Sequence, residues 1–324
     1  MIKTSIFGTA LGIIATVVAA GAQEFPSRTV NLVVSSGPGT VPDVLSRAIA
    51  EQLSKRWGQS VVVENKPGAA YAIAATEVMR AAPDGHTLIA SELAMFTYQH
   101  HLYKKTKRPF DGEKDFEPVA GLAQVPVTFI AHPSVDARNV GDLLALARKT
   151  PGGLNYGTAG PGTTPHMSML MFEHLAGVKM TAVHYRSIAL ALNDVTAGHV
   201  QLVVMSPSIS LENYRAGKLK FLGVGSTQRM PQLPDVPAVS EAVIGYEANV
   251  AFGVAAPAKT PAAIVNRING DIQVILKDPE FRKRFIEPQL LQPIYGSPAD
   301  FKKLLGEEGK RWETVIRETG ISID

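Results

Sequence analysis

Two glycine-rich segments gather the residues best placed to do chemistry. The first is Ser35-Ser36-Gly37-Pro38-Gly39-Thr40-Val41-Pro42-Asp43, and the second is Gly157-Thr158-Ala159-Gly160-Pro161-Gly162-Thr163-Thr164-Pro165-His166. Each follows a β-branched run and opens a stretch of helical spacing. The first amides of a helix have no internal partner and carry partial positive charge, so such a corner can hold an anion without a charged side chain. Glycine lets the backbone approach closely, and the Ser and Thr hydroxyls add donors. The implied chemistry is capture of a small anion, gripped from two sides if both corners face one cleft. Taken singly, each segment reads equally well as a tight strand-to-helix connection, capped by Asp43 in the first case and by Thr163 or Thr164 in the second. His166 could donate to a ligand or act as a cap.

Other chemistries lack their signatures. Neither segment continues into Gly-Lys-Ser/Thr, and neither fits Gly-x-Gly-x-x-Gly, so phosphate-loop and dinucleotide binding are not indicated. There is no Gly-x-Ser-x-Gly elbow and no His-Glu-x-x-His helix. His100-His101 reads as a surface feature beside Tyr98, Tyr103 and a lysine-rich run, with no acidic ligand until Asp111. Asp84 is the turn residue of Pro83-Asp84-Gly85. The chain has no cysteine, which removes thiolate chemistry, disulfides and Cys-based metal sites. No catalytic residue, metal or cofactor is assigned.

The elements that must position these loops alternate in kind. Apolar β-branched runs at 30–34, 61–64 and 87–90 are separated by helical spacing at 43–57 and 72–82. That β-α-β-α-β order argues for a parallel sheet covered by helices. A second series begins near Val125, with strands at 127–130, 154–157, 182–185, 200–205 and 219–224 and helices at 140–149, 165–176 and 188–197. A strand from about Ala251 and helices at 261–276 and 300–319 close the chain. No internal repeat, low-complexity segment or flexible linker is evident. The chain is therefore expected to cross between lobes on extended strands, which lets the lobes hinge in register.

The N-terminus reads as a secretory signal peptide over residues 1–22: Lys3, an apolar run from Ile13 to Ala20, then Ala20-Gly21-Ala22 before polar residues. Export as a soluble protein follows. Of the 324 residues, 45% are hydrophobic and 19% charged, an ordinary globular balance. That length exceeds what one core usually supports. The expected organisation is lobe 1 from residues 23–124 plus 251–324, and lobe 2 from residues 125–250. A net charge of +3 is too weak for nucleic acid, though it suits an anionic ligand.

As an ordered set, the landmarks resemble the tricarboxylate-uptake solute receptors of the Bug family, the binding components of tripartite tricarboxylate transporters. The resemblance begins with Phe25-Pro26-Ser27-Arg28, Pro38-Gly39 with Asp43, and Val61-Val62-Val63-Glu64-Asn65-Lys66-Pro67-Gly68-Ala69. It continues through Ala82-Pro83-Asp84-Gly85-His86-Thr87-Leu88 and Asp115-Phe116-Glu117-Pro118-Val119. It then takes in Leu154-Asn155-Tyr156-Gly157 with Gly160, Gly162 and His166, and Tyr185-Arg186. Ala216-Gly217-Lys218-Leu219, Arg229 with Leu233-Pro234-Asp235-Val236-Pro237, Ala256-Pro257 and Trp312 complete it.

The resemblance implies an α/β, two-lobed periplasmic binding protein fold of type II-like form. Each lobe would be a mixed, mostly parallel sheet flanked by helices, with the ligand in the interlobe cleft. It implies a monomer that holds a di-, tri- or aromatic carboxylate through backbone amides and waters and delivers it to membrane transporter subunits. The implied ligand-binding residues are Ser36, Gly37, Gly39, Thr40, Asp43 and Ser91 in one lobe, and Thr158, Gly160, Gly162, Thr163, Thr164, His166 and Tyr185 in the other. Departures from the family pattern fall at Thr40, at Ala70, Tyr71 and Ala74 where glycines are usual, at Ser187, and at His199 and Gln201. Tyr71 could project into the cleft and stack on a planar ligand, or simply fill space. Two rivals stand beside this reading. One is an exported α/β enzyme using Ser36, Asp43 and His166. The other is a periplasmic sensory receptor for a two-component system.

Overall fold

The computed structural model describes residues 25–104 and 107–322. The expected signal peptide lies outside the described residues. In chain order the elements begin with β1 (Val30–Val34), α1 (Val41–Trp57), β2 (Val61–Asn65), α2 (Ala72–Met79), β3 (Thr87–Glu92) and α3 (Leu93–Thr97). Next come β4 (Phe116–Pro126), β5 (Thr128–Ala131), α4 (Val140–Lys149), β6 (Asn155–Thr158), α5 (Thr164–Ala176) and β7 (Thr181–His184). They continue with α6 (Ile188–Thr196), β8 (Leu202–Met205), α7 (Leu211–Arg215), β9 (Lys220–Val224) and β10 (Asn249–Pro257). The chain ends with α8 (Ala262–Lys277), the single turn α9 (Pro279–Phe281), β11 (Gln292–Pro293) and α10 (Pro298–Thr319).

Two sheets result, ordered β11-β4-β10-β3-β1-β2 and β7-β6-β8-β5-β9. β1 is apolar almost throughout because it lies between β2 and β3 and is covered by helices, as a central strand of an α/β layer must be. The edge strand β2 instead alternates half-buried and exposed residues. α1 and α5 follow the same grammar: a threonine N-cap (Thr40, Thr163), a proline in the first turn (Pro42, Pro165), and a left-handed glycine after the last turn (Gly58, Gly177).

The sheets are mixed, as expected, but the expectation of mostly parallel pairing is corrected. Among the described residues, three of five pairings in the first sheet and two of four in the second are antiparallel. The reason is how the chain passes between sheets. It leaves on β4, continues into β5 with only Val127 between, and returns through β9 to β10. Outgoing and returning strands run in opposite directions, so β4 pairs antiparallel with β10, and β5 with β9. The crossing is pinned by three backbone bonds: Val127 N donates to Ala248 O (3.1 Å), Gly225 N to Val127 O (2.7 Å) and Ala248 N to Gly225 O (2.9 Å). A Cβ on Gly225 would lie 2.3 Å from Ala248 O, so only glycine fits there. Among the described residues, no helix is long and apolar enough to cross a membrane.

Candidate functional site

The two glycine-rich segments fold as one structure built twice. In the first, Gly37 O accepts from Thr40 N (3.4 Å) and from Thr40 Oγ1 (2.7 Å), and Gly39 N donates to Asp43 Oδ2 (2.9 Å). In the second, Gly160 O accepts from Thr163 N (3.3 Å) and Thr163 Oγ1 (2.7 Å), and Gly162 N donates to His166 Nδ1 (3.0 Å). Gly39 and Gly162 have φ of 77° and 73°, the left-handed region where a side chain is strained. The sequences Gly37-Pro38-Gly39-Thr40-Val41-Pro42 and Gly160-Pro161-Gly162-Thr163-Thr164-Pro165 differ at one residue. The expectation of no internal repeat is therefore corrected over this short stretch.

Both corners border a single cavity that is partly open to solvent. Ser36, Thr40, Val41 and Pro42 line one side, and Thr164 and Pro165 the other. Val44 N to Thr40 O is the first bond inside α1, and Met167 N to Thr163 O the first inside α5. The amides of Val41, Asp43, Thr164 and His166 precede those bonds and have no helical acceptor, while Pro42 and Pro165 offer no N–H. Two helix starts thus aim partial positive charge at one space.

Asp43 and His166 hold the corners in shape. Asp43 is 3% exposed, and its Oδ1 also accepts from Arg47 Nε (2.9 Å) and Asn65 Nδ2 (2.8 Å). Burial pushes its carboxyl up, but the Gly39, Asn65 and Arg47 bonds outweigh that and hold it below the usual carboxylate range. His166 is 9% exposed; burial, aided by His184 with its ring 5.0 Å away, lowers its pKa to about 4. The imidazole is therefore neutral near pH 7, which lets Nδ1 accept the Gly162 amide.

Other expected site residues serve as supports. Thr158 Oγ1 pairs with His184 Nδ1 (2.7 Å) and accepts from Gly160 N (3.1 Å). Ser91 is fully buried, with its Oγ 2.6 Å from Ser35 Oγ. Tyr185 donates its hydroxyl to Asp194 Oδ2 (2.6 Å), and its amide to Thr158 O (3.0 Å). Tyr71 is buried and off the cavity wall, its hydroxyl donating to Glu92 Oε2 (2.8 Å). Sequence reasoning missed Glu92 and most of the apolar lining, including Val127, Ile188, Met205, Ile209 and Phe252, together with the hydroxyl of Ser206. Glu92 had a signal: it ends β3, and ligands gather at the carboxyl ends of strands. Residues of the crossing strands, such as Phe252, had none.

Ser36, Asp43 and His166 do not form a nucleophile–base pair. Ser36 Oγ pairs with Thr40 Oγ1 (2.8 Å), and the other two are engaged as described. His100 is 2% exposed, so the expectation of a surface pair holds only for His101. The fold brings ligand atoms of His100, His101 and Glu113 within 4.8 Å of one another. Burial, with His101 adjacent, lowers the His100 pKa to about 4.

Comparison with known proteins bears on this geometry. Residues 45–321 match a family described as the tripartite tricarboxylate transporter family receptor. A UPF0065 protein of a Pseudomonas species is 32% identical over 298 residues, covering 91% of this chain and 88% of that protein. BugT of Bordetella pertussis is 28% identical over 321 residues, covering 98% and 96%. Among solved structures, an R. palustris protein with adipate matches with a TM-score of 0.86 at 34% identity, covering 92% of this chain and 99% of that one. MatC of Rhodopseudomonas palustris, with bound malate, matches with a TM-score of 0.84 at 31% identity, covering 90% and 100%. The fold is thus that of the two-lobed periplasmic binding proteins, and the relatives with assigned roles are solute receptors.

Proposed function

The chain belongs to the tripartite tricarboxylate transporter receptor family, and on that premise we propose that it is a periplasmic solute-binding protein, not an enzyme. It captures a small organic carboxylate between lobe 1 (residues 23–124 and 251–324) and lobe 2 (residues 125–250), then presents it to membrane transporter subunits. Residues 1–22 direct export as a signal peptide and are then removed.

The observation that carries this reading is the pairing of two helix N-termini, α1 and α5, across one cavity whose wall, among the described residues, has no cationic side chain. The amides of Val41, Asp43, Thr164 and His166 supply the donors, while Ser36, Gly37, Gly39, Thr40, Gly160, Gly162 and Thr163 shape the corners that present them. Donors on both lobes are satisfied together only when the cleft is shut. A ligand therefore shifts the open–closed balance by its preference for the closed form. The pinned crossing at Val127, Gly225 and Ala248 gives that motion a defined axis. The enzyme reading is disfavoured by the separate engagements of Ser36, Asp43 and His166.

A thermal-shift screen of small organic acids tests the proposal, since a ligand that binds only the folded state raises Tm. At least one carboxylate is expected to raise Tm and to compact the protein in X-ray scattering. A panel of mono-, di-, tricarboxylic and amino-carboxylic acids that moves neither quantity would overturn it.

A further inference from the structure

Among the described residues lining the cavity, Glu92 is the one with an ionisable side chain. It ends β3, next to Ser91, and lines the cavity. Two hydroxyls converge on one of its oxygens: Tyr71 donates to Oε2 from 2.8 Å and Thr164 from 2.6 Å. Among the described residues Oε1 accepts no hydrogen bond, so that oxygen is available to a ligand. The remaining polar groups on the wall are hydroxyls: those of Thr40 and Thr164 already donate to Gly37 O and Glu92, that of Ser36 is paired with Thr40, and that of Ser206 can turn to either sign of partner.

The setting of this carboxylate is built. Ala69, Ala70 and Tyr71 have φ of 47°, 46° and 74°, three successive left-handed residues with side chains where glycine would be unstrained. That strained turn delivers the Tyr71 hydroxyl to Glu92. Thr164, the first residue of α5, meets the same oxygen from the opposite sheet, so the carboxylate also sits at the positive end of a helix of 13 residues.

We infer that Glu92 sets the ligand class of this receptor: the cavity selects a carboxylate that also carries a protonated amine over a dicarboxylate of the same length. This rests on the carboxylate-binding reading above. The corner amides take the ligand carboxylate, and Oε1 of Glu92 takes the ammonium in a charge-assisted hydrogen bond. A second ionised carboxylate at that end would face a like charge in a partly desolvated space, and one of the two would have to bind a proton. Burial already raises the Glu92 carboxyl above its ordinary range, against the two hydroxyl bonds. A facing ammonium restores the ionised form, and a facing carboxylate opposes it.

The test is calorimetry at neutral pH on the mature chain, wild type and Glu92→Gln, with three ligand series of four to six carbons. These are the straight-chain dicarboxylates, the ω-amino carboxylates and the monocarboxylates. In wild type, the best amino carboxylate is expected to bind at least about tenfold tighter than the dicarboxylate of its length. In Glu92→Gln that preference is expected to disappear. A dicarboxylate that binds wild type as tightly as its amino counterpart overturns the inference, with no need for the variant to fold. An amino preference that survives Glu92→Gln overturns it as well. Carboxylates that bind without dependence on Glu92 sink this inference alone. If no compound of any series binds, the inference falls, and a silent thermal-shift panel then sinks the carboxylate reading with it.

Discussion

The corners at residues 37–43 and 160–166 share a backbone, a hydrogen-bond pattern and most of a sequence, yet they are tied down by opposite electrostatics. The first is locked by an ionised carboxylate, Asp43, whose partners Gly39, Arg47 and Asn65 all belong to elements of its own sheet layer. The second is locked by a neutral imidazole, His166, with a second imidazole beside it. Their helix starts differ too. Val41 offers only apolar surface, whereas Thr164 reaches Glu92 on the other side of the cleft. The second helix start is therefore tied to the opposite side of the cleft, and the first is held within its own layer. Repeating a backbone device fixes where donors point, and single substitutions within it decide how each copy responds to ligand and to pH.

The largest expected effect separates the two glycines. A Cβ on Gly162 would lie 2.3 Å from Leu102 Cδ1 and 2.8 Å from Gln99 Oε1, both on the opposite jaw, whereas one on Gly39 meets nothing within 4 Å. Gly39→Ala should cost about 1–2 kcal/mol from backbone strain alone. Gly162→Ala adds overpacking and should cost about 3–4 kcal/mol in urea unfolding. Equal costs would mean that the jaws do not meet as described.

The next effect is on pH. The folded-state pKa of His166 lies near 4, against an ordinary value of 6.5. Its contribution to stability is therefore present above about pH 6.5 and is lost as pH falls towards 4, up to about 3 kcal/mol. Asp43 is shifted below its ordinary 3.8, so its contribution is lost only as pH falls further. The second corner should loosen first on acidification. His166→Asn, which keeps an acceptor near the place of Nδ1 but does not titrate, should reduce the loss of stability between pH 6.5 and 4, leaving the share of His100 and His184, whose pKa values burial also lowers. An unchanged slope in that variant would erase the distinction between the corners.

The smallest effect tests the coupling. Thr164→Val removes the hydroxyl bond to Glu92 and should cost about 1 kcal/mol while increasing the open population in scattering. The reverse change at the equivalent position, Val41→Thr, should leave that population unaltered.

Some of this was legible from residue types alone. Both glycine-rich corners follow apolar strands and carry threonine, proline and glycine in the order that starts a helix, so their place at strand ends was clear. β4 was not, because Pro118, Gly121 and Pro126 interrupt the strand pattern and its two bulged stretches pair with β10 out of simple register. Tyr71 was singled out as a departure where glycine is usual. Its actual engagement, a hydroxyl on Glu92 from a left-handed backbone, required knowing that residues 71 and 92 meet.

Most of the chain order of strands and helices, the two glycine-rich corners and the absence of thiol chemistry were determined by local residue patterns, which depend on neighbours within a few positions. Tertiary structure alone decided that the two corners share one cavity, that Asp43 and His166 support the corners from within, and that Glu92 is the ionisable group on the cavity wall. Those facts depend on contacts between residues far apart in the chain, and only the packing of the two sheets brings such residues together.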